Sequence, residues 1–257
     1  MIALLGLTWQ LANAGRLDDA EARFNEVIAL TGASGDLPHL CVAYINRRQL
    51  WLQRVNLSRA IEDMERAIAL AREIGNPVFE RFGCLNVAEL LCWAGRTDEA
   101  IQLALRGCTL AERFLGRPEA WGPLVLGLFH IERGDLDEAR RLAAKVEAEQ
   151  ALDLLEDSEF GVSRRTTLDT IRVVLSDMAG DAAITAAWDH LEDEATAAAA
   201  SDTSMLEVLF WRARMALRRD RPDEAASALE RARPWLARSP FLLPRFERLS
   251  PGRGLGA

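Results

Sequence analysis

The sequence predicts an all-α solenoid of about six antiparallel helix pairs, stacked one after another along the chain. The first observation is a six-residue phrase, GRLDDA, which ends at Ala20 and returns at intervals of 40, 40, 39 and 86 residues. The later copies are VNLSRA, GRTDEA, GDLDEA and DRPDEA, ending at Ala60, Ala100, Ala139 and Ala225. The second observation is helical spacing of the apolar residues after each phrase, and the third is a glycine followed closely by a proline.

Each copy of the phrase opens an amphipathic helix. In the first copy, Ala20, Phe24, Val27 and Ile28 recur at the spacing that places side chains on one helix face. We expect the polar residues before the small Ala to cap the helix, and the Ala itself to let the paired helix approach closely. Glycine and proline, as in the run Gly75-Asn76-Pro77, end this helix and begin the next, so each period holds two helices.

The period and its punctuation give approximate bounds for every helix. The predicted first helices cover residues 2–13, 38–53, 78–94, 118–132, 162–178 and 203–218. The predicted second helices cover residues 17–31, 57–73, 97–114, 135–148, 181–197 and 221–237.

The phrase and its surroundings resemble the tetratricopeptide repeat, in a long variant of about 40 residues. The resemblance lies in the turn and small Ala, in Phe24 one turn later, and in Asn46 and Asn86 inside first helices. It implies a right-handed superhelix whose first helices line the concave side. The phrases ALAREIGNP and AELLCWAGRTDEAI are also similar to repeat regions attached to large bacterial signalling proteins, namely kinases and transcriptional activators with a nucleotide-binding domain.

The sequence divides into a repeat array over residues 1–237 and a tail over residues 238–257. The array is degenerate or carries an insertion around residues 147–185, where we expect the acidic stretch from Glu147 to Glu159 to be the inserted part. In the tail, Pro240, Pro244 and Pro251 prevent a long helix, because proline removes a backbone donor. We expect residues 241–243 to pack over the last repeat and the rest to be partly disordered.

Charge and composition limit the classes of partner. The formal net charge is −8, and residues 211–257 hold 11 arginines against 5 acids, whereas the first 210 residues hold 20 basic and 34 acidic residues. An acidic body disfavours nucleic acid, whose binding needs a concentrated basic face. Without an apolar run of about 20 residues, a membrane span is not expected. Four cysteines without a CxxC pair and no basic signal-peptide start predict a reducing, cytoplasmic location.

No constellation for catalysis, cofactor binding or metal binding is recognisable in the sequence. The three histidines, His39, His130 and His190, fall in different repeats and form no HExxH pair. The acidic cluster from Asp189 to Glu194 lacks the spacing of a calcium loop and is better explained as a solvated face. We therefore expect a protein that is not an enzyme and needs no cofactor.

Two rows of residues follow the period on the first helices, which the resemblance places on the concave side. They are Ile2, Val42, Phe82, Trp121 and Trp9, Gln49, Glu89, Leu128. An apolar row beside a mixed row suits an extended or helical peptide with apolar anchors. The candidate partner-binding residues are Trp9, Gln49, Phe82, Glu89, Trp121 and Leu128. The alternative is that these residues pack between repeats.

The carboxylate-clamp form of the family has Lys or Arg with Asn in the groove. At the corresponding places this chain has Leu5, Trp9, Asn46, Phe82 and Asn86, so only Asn46 agrees. A chaperone C-terminal tail is therefore not the expected ligand.

Two functions remain open from the sequence. The first is a scaffold that binds a peptide or helix of a partner protein in its concave groove. The second is the C-terminal regulatory arm of a larger bacterial signalling protein. The apolar start of the first repeat has three explanations, which are missing upstream sequence, a homodimer contact through this repeat, or an ordinary uncapped helix.

Overall fold

The computed structural model describes residues 8, 10–12, 14–116, 119–149 and 159–249. The chain forms two compact units, Met1–Gly116 and Arg117–Ala257, each of which is described by itself. The predicted first helix over residues 2–13 lies mostly outside the described residues. The same is true of Trp9, the apolar start of the first repeat with its homodimer hypothesis, and most of the expected insertion between Glu147 and Glu159.

The first unit is a series of helices in which each helix contacts the next. Thr8 and residues 10–12 are helical. The helices that follow are α1 (Leu17–Ser34), α2 (Leu37–Gln53), α3 (Leu57–Glu73), α4 (Pro77–Trp93) and α5 (Thr97–Phe114). In the repeat pattern, α2 and α4 are first helices, and α3 and α5 are their second helices.

The second unit continues the pairing and ends in two short elements. Its helices are α6 (Trp121–Arg133), α7 (Leu136–Ala148), α8 (Glu159–Ala179), α9 (Ile184–Ala197), α10 (Asp202–Arg218) and α11 (Pro222–Arg238). A 3-10 turn at Pro240–Leu242 and helix α12 (Leu243–Glu247) follow. The first helices here are α6, α8 and α10, and α8 contacts both of the others.

The predicted all-α class and the tandem helix pairs are confirmed, since the described residues form helices and turns without a strand. Each predicted helix in the described ranges agrees with an observed one to within about one turn. The small Ala of every phrase is buried: Ala20, Ala60, Ala100, Ala139 and Ala225. The period therefore marks the points at which paired helices meet.

The expected capping of the second helices is only partly correct. Asn56 accepts a hydrogen bond from the Arg59 backbone N–H at 3.1 Å, and Asp135 accepts one from Glu138 at 3.4 Å. In three copies, however, the residue at the cap is Arg16, Arg96 or Arg221, and its side chain caps nothing. Arginine has no acceptor, so it cannot take a bond from a backbone N–H.

These cap arginines instead form ion pairs with the acid three residues later. The N–O distances are 2.7 Å for Arg16 to Asp19, 2.6 Å for Arg96 to Glu99 and 2.7 Å for Arg221 to Glu224. The acids stand in the first helical turn, where a negative charge interacts favourably with the helix dipole. The phrase thus stabilises helix starts by two different means.

Residues 239–249 of the tail, here called the C-terminal segment, lie against the last repeat. Phe241, Leu242 and Phe246 are buried, and so is the charged residue Arg245. The predicted looseness of the remaining tail stays a prediction, because residues 250–257 are outside the described range.

Candidate partner-binding surfaces

The first helix α4 exposes a narrow line of side chains in its C-terminal part. On α4, every residue from Gly83 to Cys92 is buried except Glu89, which is half-buried, as is Phe82 one position before this stretch. Val42 and Gln49 on α2 are also half-buried. Both pairs are seven residues apart, a spacing that places them on one helix face. The predicted residues Gln49, Phe82 and Glu89 therefore reach the surface of the first unit.

Arg48 links the two first helices beside this line. Its guanidinium donates a hydrogen bond to the Asn86 side-chain oxygen, and the Asn86 amide donates to the Phe82 carbonyl at 2.8 Å. Burial lowers the pKa of Arg48, while the negative charge of Glu89 acts in the opposite direction. A poorly hydrated cation and a carboxylate thus neighbour the exposed line. Asn86 serves this link, so the Asn that the resemblance places in the repeat has a structural role here.

Of the two predicted residues in the second unit, Trp121 is half-buried, as Phe82 is, and Leu128 is buried. The Arg164 guanidinium carbon lies 4.7 Å from the centre of the Trp121 ring. Leu128 is 8% exposed. Both residues belong to α6, whose side chains from Gly122 to Ile131 are all buried. In this helix the period marks positions that mainly serve packing.

Sequence reasoning missed two residues of the same rows in the second unit. Phe82 and Trp121 each stand 18 residues before the Ala of their phrase, and Glu207 stands 18 residues before Ala225. Glu89 and Leu128 stand 11 residues before their Ala, as Arg214 does before Ala225. The spacing was available in the sequence and would have identified both residues on α10.

Glu207 binds the C-terminal segment. Its two carboxylate oxygens accept hydrogen bonds from Arg245 at 2.5 and 3.0 Å, and one oxygen also accepts the Trp211 indole N–H at 2.7 Å. The Arg245 guanidinium lies 3.8 Å from the centre of the Phe210 ring. Phe246 meets the same ring edge-on, with 5.5 Å between centroids. A cation and an aromatic side chain of the segment thus dock side by side on α10.

Glu132 of α6 completes this cluster. It accepts a hydrogen bond from Arg214 and lies 4.0 Å from Arg245. Arg214 also lies over the Trp211 ring, 5.0 Å from its centre. The side chains of Glu132 and Glu207 are 19% and 16% exposed, so solvent reaches the edge of the cluster.

The metal-ligating and thiol groups of the described residues can be assessed directly. Among them, no group of three or more His, Cys, Asp or Glu side chains could hold a metal ion. Burial raises the pKa of the Cys41 and Cys84 thiols to about 11, which keeps both protonated at neutral pH and poor as nucleophiles. In the same ranges, no helix has the length and apolar character needed to cross a membrane.

Comparison with known proteins assigns the repeats to a family. A family model described as the MalT-like TPR region matches residues 1–238, where TPR stands for tetratricopeptide repeat. The chain belongs to this family. The MalT-like TPR fold accounts for the helix pairs, and repeats of this kind typically present surfaces for protein partners. No curated protein matches the sequence significantly.

Solved structures with the same fold share little sequence with this MalT-like repeat chain. A Rap protein complexed with competence and sporulation factor is 13% identical at a TM-score of 0.59, over 95% of this chain and 79% of that one. BtubC from P. vanneervenii is 14% identical at 0.54, over 86% and 89%. A tetratricopeptide repeat protein from Parabacteroides merdae is 15% identical at 0.51, over 96% and 97%. These similarities support the fold alone.

Proposed function

We propose that this MalT-like repeat chain is a non-catalytic scaffold that binds a peptide or helix of a partner protein along the first-helix face of the first unit. The observation that supports this most is the partial exposure of Phe82 and Glu89 on α4, beside a stretch that is otherwise buried. An aromatic side chain beside a carboxylate offers one apolar anchor and one polar contact, a combination that peptide grooves use. Gln49 on α2 adds an amide to the same face.

The Rap structure gives this proposal a precedent in the same fold, since that protein was solved with a bound factor. The acidic body of the chain supports a protein partner over nucleic acid. We propose the cytoplasm as the place of the interaction, which agrees with four cysteines that form no disulfide among the described residues.

A library of displayed peptides tests the proposal, with selection on the complete chain. The affinities of selected peptides are then measured for Phe82→Ala and Glu89→Arg by fluorescence anisotropy. We expect each substitution to weaken binding at least about tenfold, since central aromatic and charged anchors dominate such interfaces. Phe114→Ala and Glu62→Arg are matched controls, because both residues are exposed on second helices. Unchanged affinity in both test variants would place the binding surface elsewhere.

A second function has support from the family description. A MalT-like TPR region is named as one region of a protein, and the chain's phrases are similar to repeats of bacterial signalling proteins. In this case the array would be the regulatory arm of a kinase or a nucleotide-binding transcriptional activator. The gene sequence upstream of Met1 tests it: an in-frame continuation with those motifs supports the arm, whereas a stop codon followed by a separate ribosome site rejects it.

A further inference from the structure

The C-terminal segment occupies the row positions of the last repeat. Glu207 and Arg214 hold there the places that Phe82 and Glu89 hold in the first unit. Arg245 reaches Glu207 with both terminal nitrogens, and Phe246 packs on Phe210. In the second unit, therefore, a peptide-like element of the chain itself already lies on the first-helix face.

We propose that this face of α10, together with Glu132, is a peptide-recognition site whose resident ligand is the chain's own C-terminal segment. The site accepts an external peptide of the same chemistry, an arginine followed by an aromatic residue, when the resident segment is displaced. This inference goes beyond the proposed function, which concerns the first unit and different residues.

The surface is organised for an arginine before the segment arrives. The Trp211 indole N–H holds the Glu207 carboxylate from within the same helix, at 2.7 Å and one turn away. With the segment removed, Glu132 keeps its bond from Arg214, whereas the Glu207 carboxylate loses both hydrogen bonds from Arg245 and keeps the one from the neutral Trp211 indole. A cationic ligand replaces the two lost bonds, and Phe210 offers it a ring to stack on.

The contacts favour arginine over lysine. A planar guanidinium can donate two parallel hydrogen bonds to one carboxylate and stack on an aromatic ring at the same time, whereas an ammonium group cannot. Arg245 does both, with Glu207 and Phe210. The neighbouring Phe246 adds edge-on aromatic packing, so the recognised unit is a pair of adjacent residues.

The resident segment depends on these contacts for its structure. It consists of a three-residue 3-10 turn and the five-residue helix α12. Helices this short are not stable in water without tertiary contacts, since the nucleation cost exceeds the gain from so few bonds. The segment is therefore ordered by docking, as a bound peptide is, and its release requires no other helix to unfold.

The test uses a labelled peptide with the sequence of residues 239–249, SPFLLPRFERL, and the complete chain. The wild-type chain should bind it weakly, because the tethered segment competes at an effective concentration in the millimolar range. The double variant Arg245→Ala/Phe246→Ala loses the resident anchors and should bind the peptide at least about tenfold more tightly. Glu247→Ala, at an exposed position of the same segment, is the control and should behave as wild type.

Two further arms examine specificity. A peptide with lysine in place of Arg245 should bind the double variant at least about tenfold more weakly. Adding Glu207→Gln to the double variant should remove binding of the original peptide. The proposal is overturned if the double variant binds the peptide no better than wild type. A failure here leaves the Phe82 and Glu89 tests of the first unit unaffected, and the reverse also holds.

Hydrogen exchange of the wild-type chain keeps the proposal testable if the double variant does not fold. The backbone amides of α12 should exchange through a local opening, faster than those of α10 by at least about tenfold. Exchange of both elements at one common rate, that of global unfolding, would make the segment an inseparable part of the core and would overturn the proposal.

Discussion

The turns between paired helices contain residues with unfavourable backbone angles. Gly95 is the first residue of its phrase and has φ 83°, a left-handed conformation that glycine adopts without a steric penalty. Val55 and Asp220 stand at the equivalent turns with φ 53° and 56°. A β-branched residue such as Val55 rarely adopts this conformation, because it is sterically strained there. The phrases that begin with Val55 and Asp220 instead of glycine therefore form the turn at a cost in stability.

Replacing Val55 by glycine should raise the free energy of unfolding by about 1 kcal/mol, because the left-handed penalty of an L-residue disappears. Urea unfolding followed by circular dichroism measures this change. Gly95→Ala should lower stability by a similar amount of about 1 kcal/mol. A Val55→Gly chain that is less stable than wild type would show that the exposed Val55 side chain contributes more than its backbone costs.

A buried acid connects three helices of the first unit. Asp63 on α3 is 2% exposed and accepts two hydrogen bonds from Arg47, both at 2.7 Å. The Trp51 indole N–H donates to it at 2.7 Å, and Arg47 also donates to Asn25 of α1 at 2.7 Å. The buried Asp63 carboxylate is therefore balanced in charge by Arg47 and takes its remaining hydrogen bond from Trp51.

Asp63→Ala should lower the free energy of unfolding by about 3–5 kcal/mol, because it leaves the Arg47 charge buried without its acid. Trp51→Phe keeps the ring but removes one donor, and should cost about 1–3 kcal/mol. The comparison is Asp137→Ala, which removes a solvent-exposed pair with Arg140 and should change stability by less than about 1 kcal/mol. Thermal and urea unfolding rank the three variants by their loss in free energy of unfolding. Equal losses in Asp63→Ala and Asp137→Ala would refute the assigned role of Asp63.

At the level of helices, close approach depends on missing side chains. A Cβ atom placed on Gly107 of α5 would lie 2.7 Å from a methyl carbon of Leu85 on α4. One placed on Gly83 of α4 would lie 2.5 Å from Ile68 on α3. The α3–α4 contact and the α4–α5 contact therefore each include a glycine. A methyl group at either position would force the two helices apart or move the neighbouring side chain.

Gly107→Ala should lower the free energy of unfolding by about 1–3 kcal/mol through overpacking. Gly32→Ala, in helix α1 with nothing within 4 Å of the added atom, should instead raise it by up to about 1 kcal/mol, since alanine favours helix over glycine. Urea unfolding of both variants measures the two changes in the free energy of unfolding, which should have opposite signs. Stabilisation by both substitutions would mean that Leu85 moves away without cost.

The start of α2 makes part of the stability depend on pH. Asp36 accepts hydrogen bonds from the His39 side chain and backbone, which hold the pKa of its carboxyl below the usual 3.8. A carboxyl whose pKa is lowered by folding stabilises the protein above its unfolded pKa and loses this contribution as the pH falls through its folded pKa. Part of the stability of α2 should therefore disappear below about pH 4.

Asp36→Asn separates the charge from the cap, because asparagine also accepts the backbone hydrogen bond. The measurement is the urea concentration at the midpoint of unfolding, taken at pH 5 and at pH 3. Between these two pH values the midpoint of the variant should fall less than that of wild type, since the carboxyl changes charge at about pH 4. Glu62→Gln, at an exposed position of α3, serves as the control. Identical acid dependence in Asp36→Asn and wild type would contradict the assigned role.

At the scale of the whole chain, stability in a repeat array comes from each repeat and its immediate neighbours. Two buried acids, Asp63 and Asp177, illustrate this, because each joins elements within its own unit. Asp63 joins α2 and α3, whereas Asp177 of α8 accepts the Trp188 indole at 2.8 Å and pairs with Arg219 at 3.2 Å. A local change should thus be felt first by adjacent helices.

Hydrogen exchange should map this locality. Asp63→Ala should reduce protection most in α2 and α3 and less in α5 of the same unit, because neighbouring interfaces transmit most of the loss. Arg219→Ala should act most strongly on α8 and α10 in the second unit. Uniform loss of protection within a unit would instead describe one cooperative block.

The helices were predictable because their signals are local. The predicted span 57–73 coincides with α3 (Leu57–Glu73), since an N-cap residue comes directly before the segment, a glycine follows it closely and an apolar stripe runs along it. The cap arginines were not predicted, because their role depends on an acid that only the folded first turn brings near. Glu207 and Arg214 could have been found from the period, whereas their neighbours Arg245 and Glu132 are far apart in sequence and carry no common signal.

The amino-acid order alone specifies the repeat period, the positions of the helices and the burial of each phrase alanine, since backbone hydrogen bonding and amphipathic spacing act over a few residues. The exposure of Phe82 and Glu89, the enclosure of Leu128 and the docking of Arg245 on Glu207 follow from the folded chain. These features depend on which distant side chains share a space and compete for one partner or for water. Neighbouring residues in the sequence do not determine the outcome of that competition, because it depends on packing between segments that are far apart in the chain.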